Sequence, residues 1–218
     1  MVDLNKLYVT PDEIRNYLGV EQEKYSDTFL QSLIIEKCEY VDRLSNTTWN
    51  GRVKRARIKH DATRWKGGFW YGAGIPVTLG HPYIRQVESI EVQWLGGTED
   101  WVQTKTEGRN TGSYWVDYDN GVLYLQSWVI YQGGKEVTVT YTYGRDDLPS
   151  TIKELTRLLV IRDLIANERR LFALPEGGSG ISFSEYMKYL DERIEMLEEL
   201  HRALKPAFTV VRELGEVE

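Results

Sequence analysis

The hydrophobic pattern of the sequence changes twice along the chain, and this constrains the fold more than any other feature. In residues 1–49 and 145–206, apolar side chains recur every three or four positions, as in amphipathic helices. In residues 50–144, apolar and polar side chains alternate, as in strands with one buried face. Neither helical flank is long enough for a core of its own. The pattern therefore predicts an α+β fold, a helical bundle built from both chain ends with an inserted antiparallel β domain, followed by a C-terminal tail over residues 207–218.

Helix boundaries are well marked in the first flank. Thr10–Glu13 combines an N-cap threonine, a proline at the first helical position and a glutamate three residues after the cap. This motif predicts a short helix that ends at Gly19, and a second helix is predicted from near Ser26 or Asp27. Cys38 lies beside the apolar stripe of the second helix, so we expect it to be a small buried hydrophobe.

The middle of the chain has strong strand signals. Alternation is complete in Glu136–Tyr143, where valine and tyrosine are expected on one face and threonine on a solvated face. Ser89–Trp94 alternates in the same way. Asn120-Gly121 separates two short runs of strand-forming residues, which predicts a hairpin with a two-residue turn. These signals indicate a compact antiparallel domain.

Two helices are predicted after Pro149, separated by a flexible break at Gly177–Gly180. Apolar residues cover much of the surface of the first helix, so we expect it to be covered on two sides, by its own domain and by another subunit. The second is predicted over Phe183–Leu204. The residues predicted to form the subunit interface are Leu158, Leu159, Leu164, Ile165, Tyr186, Leu190, Ile194 and Leu197.

Composition excludes several classes of protein. Hydrophobic residues make up 41% of the 218 residues and charged residues 28%, as in an ordinary soluble globular protein. No apolar run is long enough to span a membrane, and the N-terminus has no signal-peptide pattern. The single cysteine excludes an intrachain disulfide and favours a reducing compartment.

The charge pattern disfavours a nucleic-acid-binding domain. The formal net charge is −6, and both helical flanks are acidic. One local exception is a basic cluster in the first predicted strand. Because lysine and arginine commonly protect exposed sheet edges, we interpret the cluster as a solvated edge strand. Its members are Arg52, Lys54, Arg55, Arg57 and Lys59.

No pattern of catalytic or ligand-binding residues is present, so we predict no catalytic site, no cofactor and no metal site. The three histidines are scattered, without the spacing of zinc ligands. Gly177–Gly180 lacks the lysine and the preceding strand of a phosphate-binding loop. Asp117–Gly121 superficially resembles a calcium loop, but its glycine comes one position early and no glutamate closes it, so we predict a turn.

Tryptophans suggest an alternative function. All seven lie in or at the edge of the β domain, and exposed aromatic rings can stack on sugars, so a glycan- or protein-binding module is the second hypothesis. Trp94 lies on the apolar face of its strand, where a core position is the simpler role. Trp65 and Trp70 lie in a glycine-interrupted stretch. That stretch either docks onto a partner protein or folds back on the sheet.

Several stretches carry a family resemblance when taken together. Val137–Gly144, a strand ending in Tyr-x-Tyr-Gly, leads through Leu148–Lys153 into the main helix, which closes with Ala166–Arg170. This arrangement resembles the head–tail connector, or adaptor, proteins of tailed bacteriophages, archaeal tailed viruses and proviruses, in the form with an inserted β domain. Further stretches similar to that family are Tyr8–Leu18, Phe29–Leu44, Ile75–Leu79 and Pro82–Ile90.

The resemblance implies a structural protein without catalysis. Connectors of this kind form a ring, usually twelve-fold, beneath the portal protein, extend the DNA channel, and present a platform for a tail or stopper protein. DNA passes through the channel without sequence-specific binding. The implied location is the neck of a virion that is assembled in the host cytoplasm, with no membrane involved. In the tail, we expect Phe208, Val210 and Val211 to dock onto a neighbouring subunit or the portal.

Overall fold

A computed structural model describes residues 6–21, 24–61, 75–94, 96–109, 111–125, 136–167, 183–202 and 212–216. In chain order its elements are α1 (Pro11–Leu18), α2 (Asp27–Ser45), β1 (Lys54–Asp61), β2 (Ile75–Thr78), β3 (Ile84–Trp94), β4 (Gly97–Asp100), α3 (Trp101–Thr104), β5 (Tyr114–Asp117), β6 (Val122–Leu125), β7 (Glu136–Tyr143), α4 (Ser150–Asn167), α5 (Phe183–His201) and β8 (Arg212–Glu216). The predicted α+β class is confirmed.

The chain divides into two compact units. The helical unit consists of Met1–Ser45 and Asp146–Ala203, and the β unit of Asn46–Arg145 and Leu204–Glu218. The second unit thus contains the last residues of the chain as well as the middle of the sequence.

The boundaries of α1 follow from its capping residues, as predicted. The Thr10 hydroxyl accepts a hydrogen bond from the Glu13 amide (3.3 Å), and the Glu13 carboxylate accepts one from the Thr10 amide (3.1 Å). The helix ends at Gly19, which has the left-handed backbone conformation (φ 64°). The start of α2 at Asp27 is also as predicted.

The central element of the helical unit is α4, which contacts α1, α2 and α5. Because three helices surround it, α4 is apolar over most of its circumference, and this accounts for the wide apolar surface in its sequence. Cys38 on α2 is completely buried, as predicted. Buried side chains of α4 are Ile152, Leu155, Leu158, Leu159, Val160, Ile161, Leu164 and Ile165.

A buried arginine connects α1 to the start of α2. Arg15 is 4% exposed, and its guanidinium donates to the Asp12 carboxylate and to the Tyr25 carbonyl oxygen, both at 2.9 Å, and also to Asp27. Charge and hydrogen bonding together compensate for burying the cation. The short helix α1 is therefore held at its N-terminus by the capping box and in its last turn by the contacts of Arg15.

The β unit contains two antiparallel sheets that share one hydrophobic core. The larger sheet has the strand order β4-β3-β7-β1-β8, and the smaller has the order β2-β6-β5. Val137, Val139, Tyr141 and Tyr143 of β7 all point into this core, as the alternation predicted. The predicted hairpin between β5 and β6 is also present, but Asp117 pairs with Val122, so the loop has four residues, 118–121, and not the two that were predicted.

One prediction about the large sheet is wrong. The basic cluster was expected on an edge strand, but β1 lies between β7 and β8. Arg212–Glu216, in the predicted tail, forms β8 and pairs with β1 from Ala56 to Lys59. Strand pairing between segments far apart in sequence leaves no local periodic signal, which is why the period of β1 alone did not reveal this neighbour.

The first and last segments of the β unit meet at a backbone clamp. The Arg145 amide donates to the Thr48 carbonyl oxygen (2.8 Å), and the Gly51 amide donates to the Arg145 carbonyl oxygen (2.9 Å). The Arg145 guanidinium lies over the rings of Trp49 and Tyr83, at 5.4 Å and 4.4 Å from their centroids. The clamp thus combines ladder-like hydrogen bonds with a cation–π contact.

Gly144 is the residue at this clamp that tolerates least change. Its φ of +135° is a conformation that other residues rarely adopt, and a Cβ atom would collide with the Arg52 carbonyl oxygen and the Thr48 hydroxyl. We expect Gly144→Ala to lower the free energy of unfolding of the β unit by more than about 2 kcal/mol. Urea titration followed by tryptophan fluorescence measures this unit selectively, because all seven tryptophans lie within Asn46–Arg145.

Gly19→Ala is the matched control for that variant. Gly19 also has a positive φ of 64°, but no atom lies within 4 Å of the position of its Cβ. We expect a loss of about 1 kcal/mol, confined to the helical unit. The steric role of Gly144 would be contradicted if both substitutions lowered the unfolding free energy, as followed by tryptophan fluorescence, by the same small amount.

His60 is a buried neutral histidine within the β unit. It lies on β1, is 1% exposed, and hydrogen-bonds to the backbone of Thr78 on β2, so it connects the two sheets. Its Nε2 is buried without a hydrogen-bond partner. Burial lowers the pKa of His60 from 6.5 to about 4, because a proton on Nε2 would place an uncompensated charge in the core.

The stability of the β unit should therefore depend on pH. Since the pKa of His60 is lower in the folded state, its contribution is fully present above pH 6.5 and is lost as the pH falls towards 4. We expect His60→Leu to flatten the decrease in unfolding free energy between these pH values, measured by tryptophan fluorescence, although it costs stability at pH 7. His201→Asn, in the helical unit, is the control and should leave the decrease unchanged. If the unfolding free energy falls equally steeply with falling pH in His60→Leu and in His201→Asn, His60 is not the origin of the decrease.

Candidate interaction surfaces

The described residues do not assemble a catalytic or metal-binding cluster. Among them, no group of three histidine, cysteine, aspartate or glutamate side chains is arranged to hold a metal ion. His60 lies between the sheets, the His81 ring is hydrogen-bonded to the Tyr141 hydroxyl (2.7 Å), and His201 contacts the Thr151 hydroxyl (2.8 Å). Within the same ranges, no helix has the length and apolar character needed to cross a bilayer.

The acidic turn Asp117–Gly121 has a structural role. Both oxygens of the Asp117 carboxylate accept hydrogen bonds from Asn120, one from its backbone amide (3.2 Å) and one from its side-chain amide (2.9 Å). This is the turn chemistry expected of aspartate and asparagine, and it confirms the predicted turn.

The basic cluster forms an ion-pair ladder on the outer face of the large sheet. We use this name for three pairs: Arg55 with Glu88 (2.7 Å), Arg57 with Glu91 (3.0 Å) and Lys59 with Glu136 (2.5 Å). The first two pairs join β1 to β3, so their side chains pass over the intervening strand β7. Arg55, Arg57 and Lys59 are therefore neutralised by glutamates of the same sheet.

Threonines of β7 lie beneath this ladder. Thr138 and Thr140 were expected on a solvated face, but they are only 7% and 5% exposed. Thr140 is paired with Arg57 on one side and Ser89 on the other, so the arginine that reaches Glu91 covers it. The threonines are thus shielded from water, and the three cations of the ladder are balanced by glutamates, which weakens the positive field that would bind phosphate groups.

The described tryptophans do not form a sugar-binding platform. Trp49 and Trp101 are buried, and Trp94 stacks on Trp101 with ring centroids 6.5 Å apart, so the expected core position of Trp94 is confirmed. Trp115 stacks face to face on Tyr124 (4.0 Å, 1° between planes), and the Arg109 guanidinium lies 4.9 Å from the centroid of Trp115. A stacking platform needs a free ring face, and these faces are occupied.

Several predicted docking residues lie outside the described part of the chain. These are Trp65, Trp70, Phe208, Val210 and Val211.

Most of the predicted subunit-interface residues are buried inside the chain itself. Within the helical unit, α4 and α5 bring them together, and a neighbouring subunit could reach them only through the side chains that cover them. Tyr186 is half-buried. The buried residues are Leu158, Leu159, Leu164, Ile165, Leu190, Ile194 and Leu197.

A second apolar stripe on α5 is exposed. Tyr189, Met196 and Leu200 are 61%, 48% and 65% exposed. Their spacing of seven and four residues places them on one face of the helix, beside the face that Leu190 and Leu197 bury. We call these three residues the α5 stripe. The periodicity of the sequence did not distinguish the α5 stripe from the buried face of the helix, because the apolar residues of both faces form one broad stripe in the sequence pattern.

The α5 stripe is extended by an aromatic residue from α1. Tyr17 is 45% exposed and is hydrogen-bonded to Tyr186, one turn before Tyr189. The Arg157 guanidinium of α4 lies 5.0 Å from the centroid of the Tyr17 ring and fixes its position. Tyr17 of α1 and Tyr189 of α5 are thus two exposed aromatic side chains on either side of Tyr186.

Comparisons with known proteins give a likeness in structure only. No protein-family model matches the chain, and no curated protein sequence matches it. A chain from the neck of an empty gene transfer agent (GTA) particle, computed with C6 symmetry, is 13% identical, and the match covers 96% of each chain with a TM-score of 0.52. A chain from the neck of the native particle, computed with C12 symmetry, is 15% identical over 96% of this chain and 95% of the other, with a TM-score of 0.49.

The match to the neck of the empty particle has the higher TM-score of the two and carries the structural assignment. It spans nearly the whole of both chains, so the likeness includes the helical elements and the β elements together. At this level of identity the match shows a common fold. The chain therefore shares its fold with a chain from the neck of a GTA particle.

Proposed function

We propose that this chain is a structural protein of the neck of a tailed virus or virus-like particle. Copies form a closed ring below the portal protein, extend the DNA channel, and present a platform for a tail or stopper protein. The ring is twelve-fold, as in the family that the sequence resembles, and it is located in the virion after assembly in the host cytoplasm. The protein has no catalytic role.

The single observation that carries this proposal is the likeness to a neck chain over 96% of both chains. Both units take part in that match, so it is not a small common motif. The ordered sequence motifs of the connector family support the same assignment independently, since they were identified from residues rather than from coordinates.

The second hypothesis, a glycan-binding module, has less support. It requires aromatic ring faces open to solvent, whereas Trp115 has one face against Tyr124 and the Arg109 guanidinium near its ring. We therefore do not propose it.

We place the ring contacts on α4 and α5, as the sequence predicted, but on exposed side chains of these helices rather than on the buried ones. Asp substitutions at Leu159 or Leu164 would not test this, because these side chains are 7% and 2% exposed and a carboxylate there would unfold the helical unit. Contacts to the portal, and to the protein below the ring, are proposed for Trp65 and Trp70 and for the segment that contains Phe208, Val210 and Val211.

The full-length chain should assemble into a closed ring. We expect particle mass, measured over a concentration series, to show one large species of defined subunit number, because ring closure makes the last contact cooperative. Negative-stain images of that species should show rings with a central channel. A chain that stays monomeric at all concentrations would contradict self-assembly. That result is what a small enzyme or a glycan-binding module would give.

The channel of such a ring should not bind DNA tightly. The formal net charge of −6 and the neutralised cations of the ion-pair ladder leave few phosphate contacts that could release counterions. We expect wild-type protein to show no tight, salt-sensitive affinity for duplex DNA in fluorescence anisotropy at low salt.

A matched variant makes this prediction sharper. Replacing Glu88 and Glu91 by glutamine leaves Arg55 and Arg57 without their counter-charges on the same sheet. We expect Glu88→Gln/Glu91→Gln to gain measurable duplex affinity that weakens as salt rises. Glu195→Gln on α5 changes a charge away from the ladder and is the control. Tight, salt-sensitive binding by the wild type would contradict the proposed channel.

A further inference from the structure

The last strand of the large sheet comes from a different part of the chain than its other strands. Strands β4, β3, β7 and β1 lie within Asn46–Arg145, whereas β8 follows α5, which belongs to the helical unit. Residues 202–211 connect α5 to β8. A connection of this length can span up to about 35 Å when it is fully extended. The end of α5 therefore does not dictate which nearby sheet edge β8 pairs with.

The strand that accepts β8 is built into the β unit independently of it. On its other side, β1 is paired with β7 in an unbroken register from Lys54 to Asp61. Ala56 and Ile58 of β1 are buried in the core that the two sheets share, and His60 connects β1 to the small sheet. Because three kinds of contact position β1, its edge is already ordered when β8 pairs with it.

The attachment of β8 to this edge depends mainly on the backbone. β8 is the edge strand and has β1 as its neighbour in the sheet, and their register shifts between Ala56 and Ile58. The sequence of β8, Arg-Glu-Leu-Gly-Glu, offers one large apolar residue, Leu214. Main-chain pairing has the same geometry whether the two strands belong to one chain or to two. The edge of β1 is therefore a binding site for an extended segment, and the site does not require a covalent link to its ligand.

We propose that β8 is exchanged between copies in the assembled particle, so that residues 212–216 of one chain pair with β1 of the next chain. The proposal rests on the ring assembly of the proposed function. It adds a binding site to that function: the edge of β1, with the C-terminal segment of a second copy as its ligand.

A second copy is the occupant that this site fits. The strand on β1 is a segment of the same chain, so every copy carries both the site and its ligand. One site and one ligand per chain give a head-to-tail contact, and a closed ring can fill every site by exchange without losing a strand pair. Neighbouring copies in a ring hold the strand near the site, so pairing between chains competes with pairing within a chain.

The first experiment tests whether β1 binds the strand as a separate ligand. In the full chain, Glu213→Pro/Leu214→Pro removes two neighbouring amides of β8, and since neighbouring amides of a strand point to opposite sides, one of them faces β1. The edge is thereby vacated. Glu213→Ala/Leu214→Ala retains both amides and is the matched control. A fluorescein-labelled peptide of residues 207–218 is titrated with each protein, and its fluorescence anisotropy is measured.

We expect the peptide to bind the proline variant at least about tenfold more tightly than the alanine control or the wild type, because the tethered strand of those two proteins competes at an effective concentration on the order of millimolar. A peptide that carries both prolines should not bind. Circular dichroism verifies that all variants are folded. Equal binding to the three proteins, or no binding to the proline variant, would overturn the site.

Chains with one added cysteine test the exchange between copies. Lys59 and Arg212 are directly opposite each other in the β1–β8 pair. The Cα atoms of such residues are about 4.5–5.5 Å apart, which a disulfide can bridge. Lys59→Cys and Arg212→Cys chains are mixed at a concentration at which the wild type assembles, and are then oxidised. The control mixture contains Lys59→Cys and Glu195→Cys chains, and the buried Cys38 is retained in all of them.

We expect at least about tenfold more disulfide-linked heterodimer in the first mixture than in the control, because exchanged strands hold the two thiols together. Equal amounts in both mixtures, while the wild type forms the ring by particle mass, would overturn the exchange and leave the ring intact. A wild type that stays monomeric by mass would refute the ring and the exchange together. The two failures are therefore distinguishable.

Discussion

The backbone of Arg145 is hydrogen-bonded on both sides to segment 48–51, and this clamp determines how the β unit can be built. It brings the chain ends of the inserted unit together just before β1 begins and just after β7 ends. Lys54 is then paired with Tyr143, and the register between β1 and β7 continues unbroken to Asp61 and Glu136. Gly144 permits the close approach, and the rings of Trp49 and Tyr83 hold the Arg145 guanidinium. The shared core and the position of His60 between the sheets both depend on this register.

Because the register is fixed, the charges of the large sheet are fixed as well. Arg55 and Arg57 are placed where they reach glutamates of β3 across β7, and they shield Thr140 from water. Each exposed pair adds little stability alone, but together the three pairs neutralise Arg55, Arg57 and Lys59 of the basic cluster. The net negative charge of the chain therefore lies mainly in its two helical flanks.

Local sequence signals were sufficient for the elements that local interactions define. The capping box of Thr10, the glycine stop at Gly19 and the hairpin at Asn120-Gly121 are examples, since each depends on neighbouring residues. Features that depend on distant partners were missed. The pairing of β8 with β1 and the cover over Thr138 and Thr140 arise only when remote segments meet. The wide apolar surface of α4 correctly indicated a helix covered on more than one side, but periodicity shows how much of a helix is covered and not by which segments. For the same reason the α5 stripe was merged with the buried face beside it.

The clamp has a further consequence for how such chains can change over time. An insertion whose two ends lie side by side adds no length between the helices that flank it, so the path from α2 to α4 is the same for an insert of any size. The stretch between Ser45 and Asp146 can therefore lengthen or shorten without altering the helical unit, provided that β1 is kept as the partner of β8. Changes of length are thus tolerated best in the loops of the insert, and least in the strand that the C-terminal segment pairs with.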